Sequence, residues 1–166
     1  MGLLRRLFRH WWFPRLRARR AFPSGALKAI EAAIGDAEAH HEGEVRFVLE
    51  AALPVALLGH RVSPRARAIE VFSQLRIWDT EHNNGVLIYL SFADRSVEIV
   101  ADRGINARSG KAAWERICRM MEKEFRQGLF EAGAVAGVRA IADELAQHFP
   151  GRGEKRNELP NKPVMM

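Results

Sequence analysis

Cysteine occurs once, at Cys118, so no disulfide can close within the chain, which suits a reducing compartment. No apolar run approaches the roughly 18 residues that a bilayer-spanning helix needs. There is no Gly-rich phosphate loop, Ser/His/Asp signature, zinc spacing or EF-hand spacing, and no internal repeat, so no short motif announces a reaction. Acid is missing from residues 1–20, which hold seven arginines. Of the 26 basic and 20 acidic residues, 19 basic and all 20 acidic ones therefore lie beyond that segment. The formal charge of +6 belongs to the two ends of the chain and leaves residues 21–150 at about −3. That balance argues against a nucleic-acid-binding face on the body of the protein.

What is present divides the chain into a basic amphipathic arm (residues 1–23), a folded domain (24–150) and a polar tail (151–166) without periodicity, expected to be disordered. In the arm, Leu3, Leu4, Leu7, Phe8, Trp11 and Trp12 form one helical stripe, with Arg5, Arg6, Arg9 and His10 opposite. Pro14 is expected to end that helix before the basic cluster Arg15, Arg17, Arg19 and Arg20. Aromatic residues on one side and arginine on the other suit a membrane–water interface carrying anionic lipid, so Leu4, Arg5, Arg6, Phe8, Arg9, Trp11 and Trp12 are the candidate membrane-surface residues. A disordered basic extension is the plain alternative. Arg5-Arg6-Leu7-Phe8 opens like a twin-arginine export signal, but no apolar core or cleavage site follows. Arg6 stands where myristoylation favours Ser or Thr after Gly2.

In the domain, Ser24 reads as an N-cap, followed by Leu27, Ile30, Ala33, Ile34 and Ala37 at helical spacing over 24–40. Alternation of Val45, Phe47 and Leu49 with Arg46 and Glu50 predicts a half-buried strand. Ser63-Pro64 opens a helix whose buried face is expected at Ile69, Phe72, Leu75 and Trp78. The unbroken apolar run over 86–92 predicts a central strand covered on both sides. Asp94-Arg95 turns it into an antiparallel strand over 96–101. Two helices follow, separated at Gly128. Their stripes are Trp114, Ile117, Cys118, Met121, Phe125 and then Phe130, Ala134, Val138, Ile141, Leu145, Phe149. The order αβαββαα implies a three-layer α/β/α sandwich with a mixed sheet, the first two strands parallel.

That topology gathers Glu44, Asp79, Glu81, His82, Asn83, Asn84, Asp102 and Arg103 at one edge of the sheet. Glu50, Asp94, Arg95 and His60 go to the other. Glu44, Asp79, Glu81, Asn84 and Asp102 supply hard oxygens for Ca2+ or Mg2+, with His82, Asn83 and Arg103 flanking. The competing reading is structural: Asn84-Gly85 provides left-handed turn geometry, and the aspartates bond their own backbones. His40-His41-Glu42 reads as a solvated helix end, because adjacent helical side chains point about 100° apart. Cys118 reads as core rather than nucleophile.

Ile30-Glu31-Ala32-Ala33-Ile34 with Gly43-Glu44-Val45 resembles the opening helix and first strand of the TPM domain family. Asn84-Gly85-Val86-Leu87-Ile88 and Asp94-Arg95-Ser96-Val97-Glu98-Ile99 are similar to its central strand and hairpin, and the likeness extends over 26–149. The resemblance implies an α/β/α sandwich, often secreted or membrane-tethered. It also implies association with photosystem repair, receptor regulation or acid phosphatase activity, and calcium near edge carboxylates. Here no signal peptide or trailing transmembrane helix is seen, so a cytoplasmic location, peripheral to the inner membrane, is expected. The leading expectation is an accessory interaction module at a membrane surface, its protein partner unnamed, with a divalent cation at the Asp79–Asn84/Asp102 edge. A metal-dependent acid phosphatase is the alternative; nucleic-acid binding has only the arm to support it.

Overall fold

The structure, a computed structural model, describes residues 10, 14–54, 57–58, 62–153 and 157–166. Leu4, Arg5, Arg6, Phe8, Arg9, Trp11, Trp12 and His60 lie outside the described residues. Among the described residues, helices α1 (Pro14–Ala21) and α2 (Ser24–Glu38) lead into strand β1 (Glu44–Glu50). Helix α3 (Pro64–Gln74), strands β2 (Gly85–Ser91) and β3 (Ser96–Ala101), and helices α4 (Arg103–Ser109), α5 (Lys111–Arg126) and α6 (Phe130–His148) follow. Strand β4 (Val164–Met165) ends the chain.

The sheet order is β3-β2-β1-β4. Strand β1 runs parallel to both β2 and β4, and β2 runs antiparallel to β3. Strand periodicity sends Val45, Phe47, Leu49, Val86, Ile88, Leu90, Val97 and Ile99 to one face, where they meet α2, α5 and α6. Ala18 of α1 and Phe22 close the same core. The opposite face carries Val48, Leu87, Tyr89 and Val100 under Ala68, Val71 and Phe72 of α3, together with Ile77 and Leu159. The result is the expected α/β/α sandwich, with unequal outer layers.

Several local expectations change. All seven residues of β1 are buried, including Glu44, Arg46 and Glu50, because α3 and the C-terminal segment cover the face that alternation assigned to solvent. The tail expected to be disordered instead packs on β1. Val48 and Leu49 pair with Val164 and Met165, and Leu159 is 9% exposed. Its two-residue strand and one buried leucine are too short to produce a periodic signal. Helix α3 buries Arg67, Ala68, Val71 and Phe72, whereas Ile69 and Trp78 are 48% and 50% exposed. A buried arginine on the inner face is what rotates the stripe away from the hydrophobicity reading.

Pro14 starts α1, as its fixed φ and missing N–H permit in a first turn, while the helix expected before it lies outside the described residues. Ser24 lies inside α2, and Pro23 occupies the cap position without a side-chain bond. Ser63 does cap α3, its hydroxyl accepting from the Ala66 N–H at 3.1 Å. Helix α4 was not expected from the sequence, and the β2–β3 turn is longer than two residues, with Arg95 at φ 56°. Of His40-His41-Glu42, expected as a solvated helix end, His40 is exposed, but His41 is 1% exposed and bridges to Pro150.

The C-terminal segment contributes to stability through its one core side chain. Leu159→Ala should lower the unfolding free energy by about 2 kcal/mol in chemical denaturation. A loss below roughly 0.5 kcal/mol would show that the segment is not anchored there.

Candidate functional site

The expected edge forms, but its residues divide into two sets. The turn before β2 is built by Asn83, at φ 52°, whose side chain and carbonyl both receive bonds from α4. Arg103 Nε donates to Asn83 Oδ1 at 3.1 Å, and the Ile105 N–H to the Asn83 carbonyl at 3.3 Å. The Asp102 N–H donates to the Gly85 carbonyl at 2.9 Å, continuing the β2–β3 ladder by one residue. Gly104 makes this junction possible: a Cβ there would stand 2.6 Å from the carbonyl oxygens of both His82 and Asn83. Gly85 is needed for closeness rather than for left-handed geometry, since a Cβ would lie 2.1 Å from the Ile77 carbonyl oxygen.

Asp102 and Asn84 are therefore neighbours across this junction. Asp102 caps α4, its Oδ1 accepting from the Arg103 N–H at 2.7 Å. Asn84 is 1% exposed; its N–H donates to Thr80 Oγ1 and its Nδ2 to the Glu42 carbonyl. One oxygen of each is left over. Asn84 Oδ1 and Asp102 Oδ2 are buried and accept no hydrogen bond. Both are hard oxygen donors, the type that Ca2+ and Mg2+ take.

Of the remaining expected ligands, Glu44 is engaged elsewhere and Asp79 and Glu81 face solvent. Glu44 is fully buried, and its carboxylate accepts from the N–H groups of Glu158 at 3.2 Å and Leu159 at 3.3 Å. It fastens the C-terminal segment. Asp79 and Glu81 are exposed, and the Glu81 N–H donates to Glu158 Oε2 at 3.1 Å. His82 Nε2 lies 3.6 Å from Glu42 Oε2. Among the described residues no group of three or more His, Cys, Asp or Glu stands together as a metal site.

A denser polar cluster, missed in the sequence, sits toward the other end of β1. Arg67 grips Glu50 with Nε at 3.0 Å from Oε2 and Nη2 at 2.9 Å from Oε1. Tyr89 donates its hydroxyl to the same carboxylate. Arg67 Nη1 also pairs with Glu70 at 3.0 Å. The Glu50 hydrogen bond holds the guanidinium pKa above its ordinary value, and burial with the Glu50 bond pushes the Tyr89 phenol well up. Arg67 therefore stays charged and Tyr89 stays a donor. The signal available in sequence was a lone tyrosine inside an aliphatic strand. Near this cluster, His10 is buried rather than on the polar side of an arm: its Nδ1 accepts from the Leu53 N–H at 3.0 Å, and Nε2 lies 3.2 Å from Asp94.

The lone thiol offers no nucleophile. Cys118 is partly buried against the main core, and burial, with Glu98 nearby, pushes its pKa up to about 12. Glu98 on β3 is likewise raised, chiefly by burial, with Arg65 opposing.

Two outcomes follow from these charges. Arg67→Met should cost about 3–5 kcal/mol, because Glu50 is left charged in the interior, and adding Glu50→Gln should recover at least half. Equal losses in the single and double variants, by denaturant titration, would contradict the pairing. For Glu98 the folded protein binds a proton more tightly than the unfolded chain, so stability falls as pH rises through and above the usual glutamate range. Glu98→Gln should thus raise the melting temperature near pH 7 and lose that advantage near pH 4. The reverse trend would overturn the assignment.

Comparison with known proteins now bears on this geometry. The TPM domain family matches residues 20–144. The chain is similar to the BA42 protein of the psychrophilic bacterium Bizionia argentinensis, at 32% identity and a TM-score of 0.77. That match covers 87% of this chain and 95% of the other. An N-terminal domain of a P. gingivalis protein, at 16% identity, shares the fold with a TM-score of 0.60 over 85% of this chain and 93% of that one. No curated protein matches the chain. With three-quarters of its length matched and the sandwich in place, the chain belongs to the TPM domain family.

Proposed function

We propose that this TPM domain is an accessory module that works at a membrane surface through protein contacts, held there by its basic leader. The observation carrying the reading is the way α1 is docked. Pro14 and Ala18 are buried, whereas Arg15, Arg17, Arg19 and Arg20 are exposed, and Leu16 is 49% exposed. A helix anchored by its small inner residues presents four guanidinium groups and an apolar side chain outward, which suits an anionic lipid surface. Among the described residues no helix is long and apolar enough to cross a membrane, so attachment on this reading is peripheral. The sequence stripe Leu4, Phe8, Trp11, Trp12 with Arg5, Arg6 and Arg9 would add the inserting face.

A divalent cation at the β2–β3 edge is a second element of the proposal, supported by the two unused buried oxygens of Asp102 and Asn84. Each oxygen is of the type such an ion takes, and an ion held there would draw the rest of its six to eight ligands from backbone carbonyls and water. Bound there, Ca2+ or Mg2+ would supply charge neutralisation. Asp102 and Asn84 would orient it and tie the turn before β2 to the start of α4. Glu44, committed to the C-terminal segment, would not take part.

Vesicle sedimentation tests the first element. Phosphatidylglycerol vesicles should retain the protein and phosphatidylcholine vesicles should not. Replacing Arg15, Arg17, Arg19 and Arg20 with Gln should weaken binding by about two to three orders of magnitude. Unchanged binding after that substitution would end the reading. For the cation, millimolar Ca2+ should shift amides at residues 82–85 and 102–105 in the wild type and not in Asp102→Asn. Turnover of p-nitrophenyl phosphate abolished by Asp102→Asn would replace this reading with a metal-dependent acid phosphatase.

A further inference from the structure

At the rim opposite Asp102, a cavity of about 440 Å³ opens between α1, the β2–β3 turn and the junction of α5 with α6. Its walls include Leu90, Phe92, Phe125 and Phe130. The three phenylalanines are only half-buried, although they belong to one aromatic cluster. Phe125 stacks on Phe130 at 5.7 Å between centroids, and Phe130 meets Phe92 at 5.9 Å. They pack on the core through Phe22, and the part of their apolar surface left uncovered is turned toward the cavity.

The mouth is cationic. Arg17, Arg95 and Arg126 line it, against the single acid Glu122. Glu122 is already engaged, its Oε1 accepting from the Val97 N–H at 3.1 Å, and its contact with Arg126 is a long 3.9 Å. Arg17 and Arg95 are exposed, and their guanidinium groups have no hydrogen bond or ion pair among the described residues. Arg95 is also fixed at φ 56°, a left-handed conformation that a non-glycine residue adopts at some cost. Size, apolar walls and a few convergent charged groups are the attributes of a small-molecule site.

We propose that this cavity binds a single-chain anionic amphiphile, with its apolar tail against the phenylalanines and its carboxylate or phosphate head at Arg17 and Arg95. Charge complementarity selects the class: a neutral apolar ligand would leave the arginines without counter-charge, and a small inorganic anion would leave the aromatic walls unfilled. Bidentate guanidinium contacts favour either oxyanion head. The site does not depend on the membrane-surface reading, since a monomeric amphiphile reaches it from solution.

The test uses dodecanoate below its micelle-forming concentration, titrated into nitrogen-15-labelled full-length protein. Saturable amide shifts should appear at residues 90–95 and 122–130. Octanoate should bind about fourfold more weakly for each methylene removed. Dodecanol should bind at least tenfold more weakly than dodecanoate. The surface pair Arg17→Gln and Arg95→Gln should weaken dodecanoate tenfold or more with the thermal melt unchanged. Shifts confined to other regions would overturn the proposal, as would equal affinity for the acid and the alcohol. Inorganic phosphate producing the same shifts at the same concentration would also overturn it. Phosphatidylglycerol vesicles that bind the protein while monomeric dodecanoate does not would remove the cavity site and leave the membrane-surface reading standing.

Discussion

The outer layer of this protein depends on one constraint: the second face of β1 carries charge. Glu44, Arg46 and Glu50 alternate with apolar residues on the strand, and all three are buried. A buried charge is tolerated only when it is paired or hydrogen-bonded. Each of the three therefore specifies its own cover. Glu44 takes two N–H groups of the C-terminal segment, Arg46 donates to the Lys162 carbonyl at 3.1 Å, and Glu50 takes Arg67 and Tyr89. Burial depresses the Arg46 pKa, with Glu38 opposing, yet a guanidinium keeps its charge through such a shift. The hydrophobic effect supplies the affinity of α3 and the tail for the sheet. The charges decide where along β1 they sit.

This explains which parts of the fold were legible in the sequence. The main core was readable because it is built from long periodic helices and strands, and Val86 through Leu90 are buried as their unbroken apolarity implies. The second layer was not readable, because its signal runs against hydropathy. Arg46 and Glu50 read as solvent-facing, and Arg67 on an inner helix face displaced Ile69 and Trp78 outward. Short elements also escaped. Helix α4 has seven residues, and β4 has two. Neither reaches the length at which periodicity separates from chance.

At the candidate site, strand direction alone brings Asp102 to the turn at Asn83 and Asn84. What sequence could not resolve was competition for the carboxylates. Glu44 lies in register with Gly85 on the neighbouring strand, yet it is claimed by the tail. Asp79 and Glu81 belong to the same turn but face solvent. The two rims of the sheet thus carry opposite character. One is acidic and amide-rich around Asp102; the other is lined by Arg17, Arg95 and Arg126. Helix α1, with its exposed arginines, sits beside the second.

The C-terminal segment has a consequence beyond the packing of Leu159. Strand β1 is central only because β4 occupies its far side. Without those few residues, β1 would become a border strand with unsatisfied main-chain groups over an apolar neighbourhood. Such borders recruit strands from other polypeptides. A molecule clipped by a protease ahead of residue 157 would lose its own guard against self-association, and would present the sheet to whatever extended peptide reached it first.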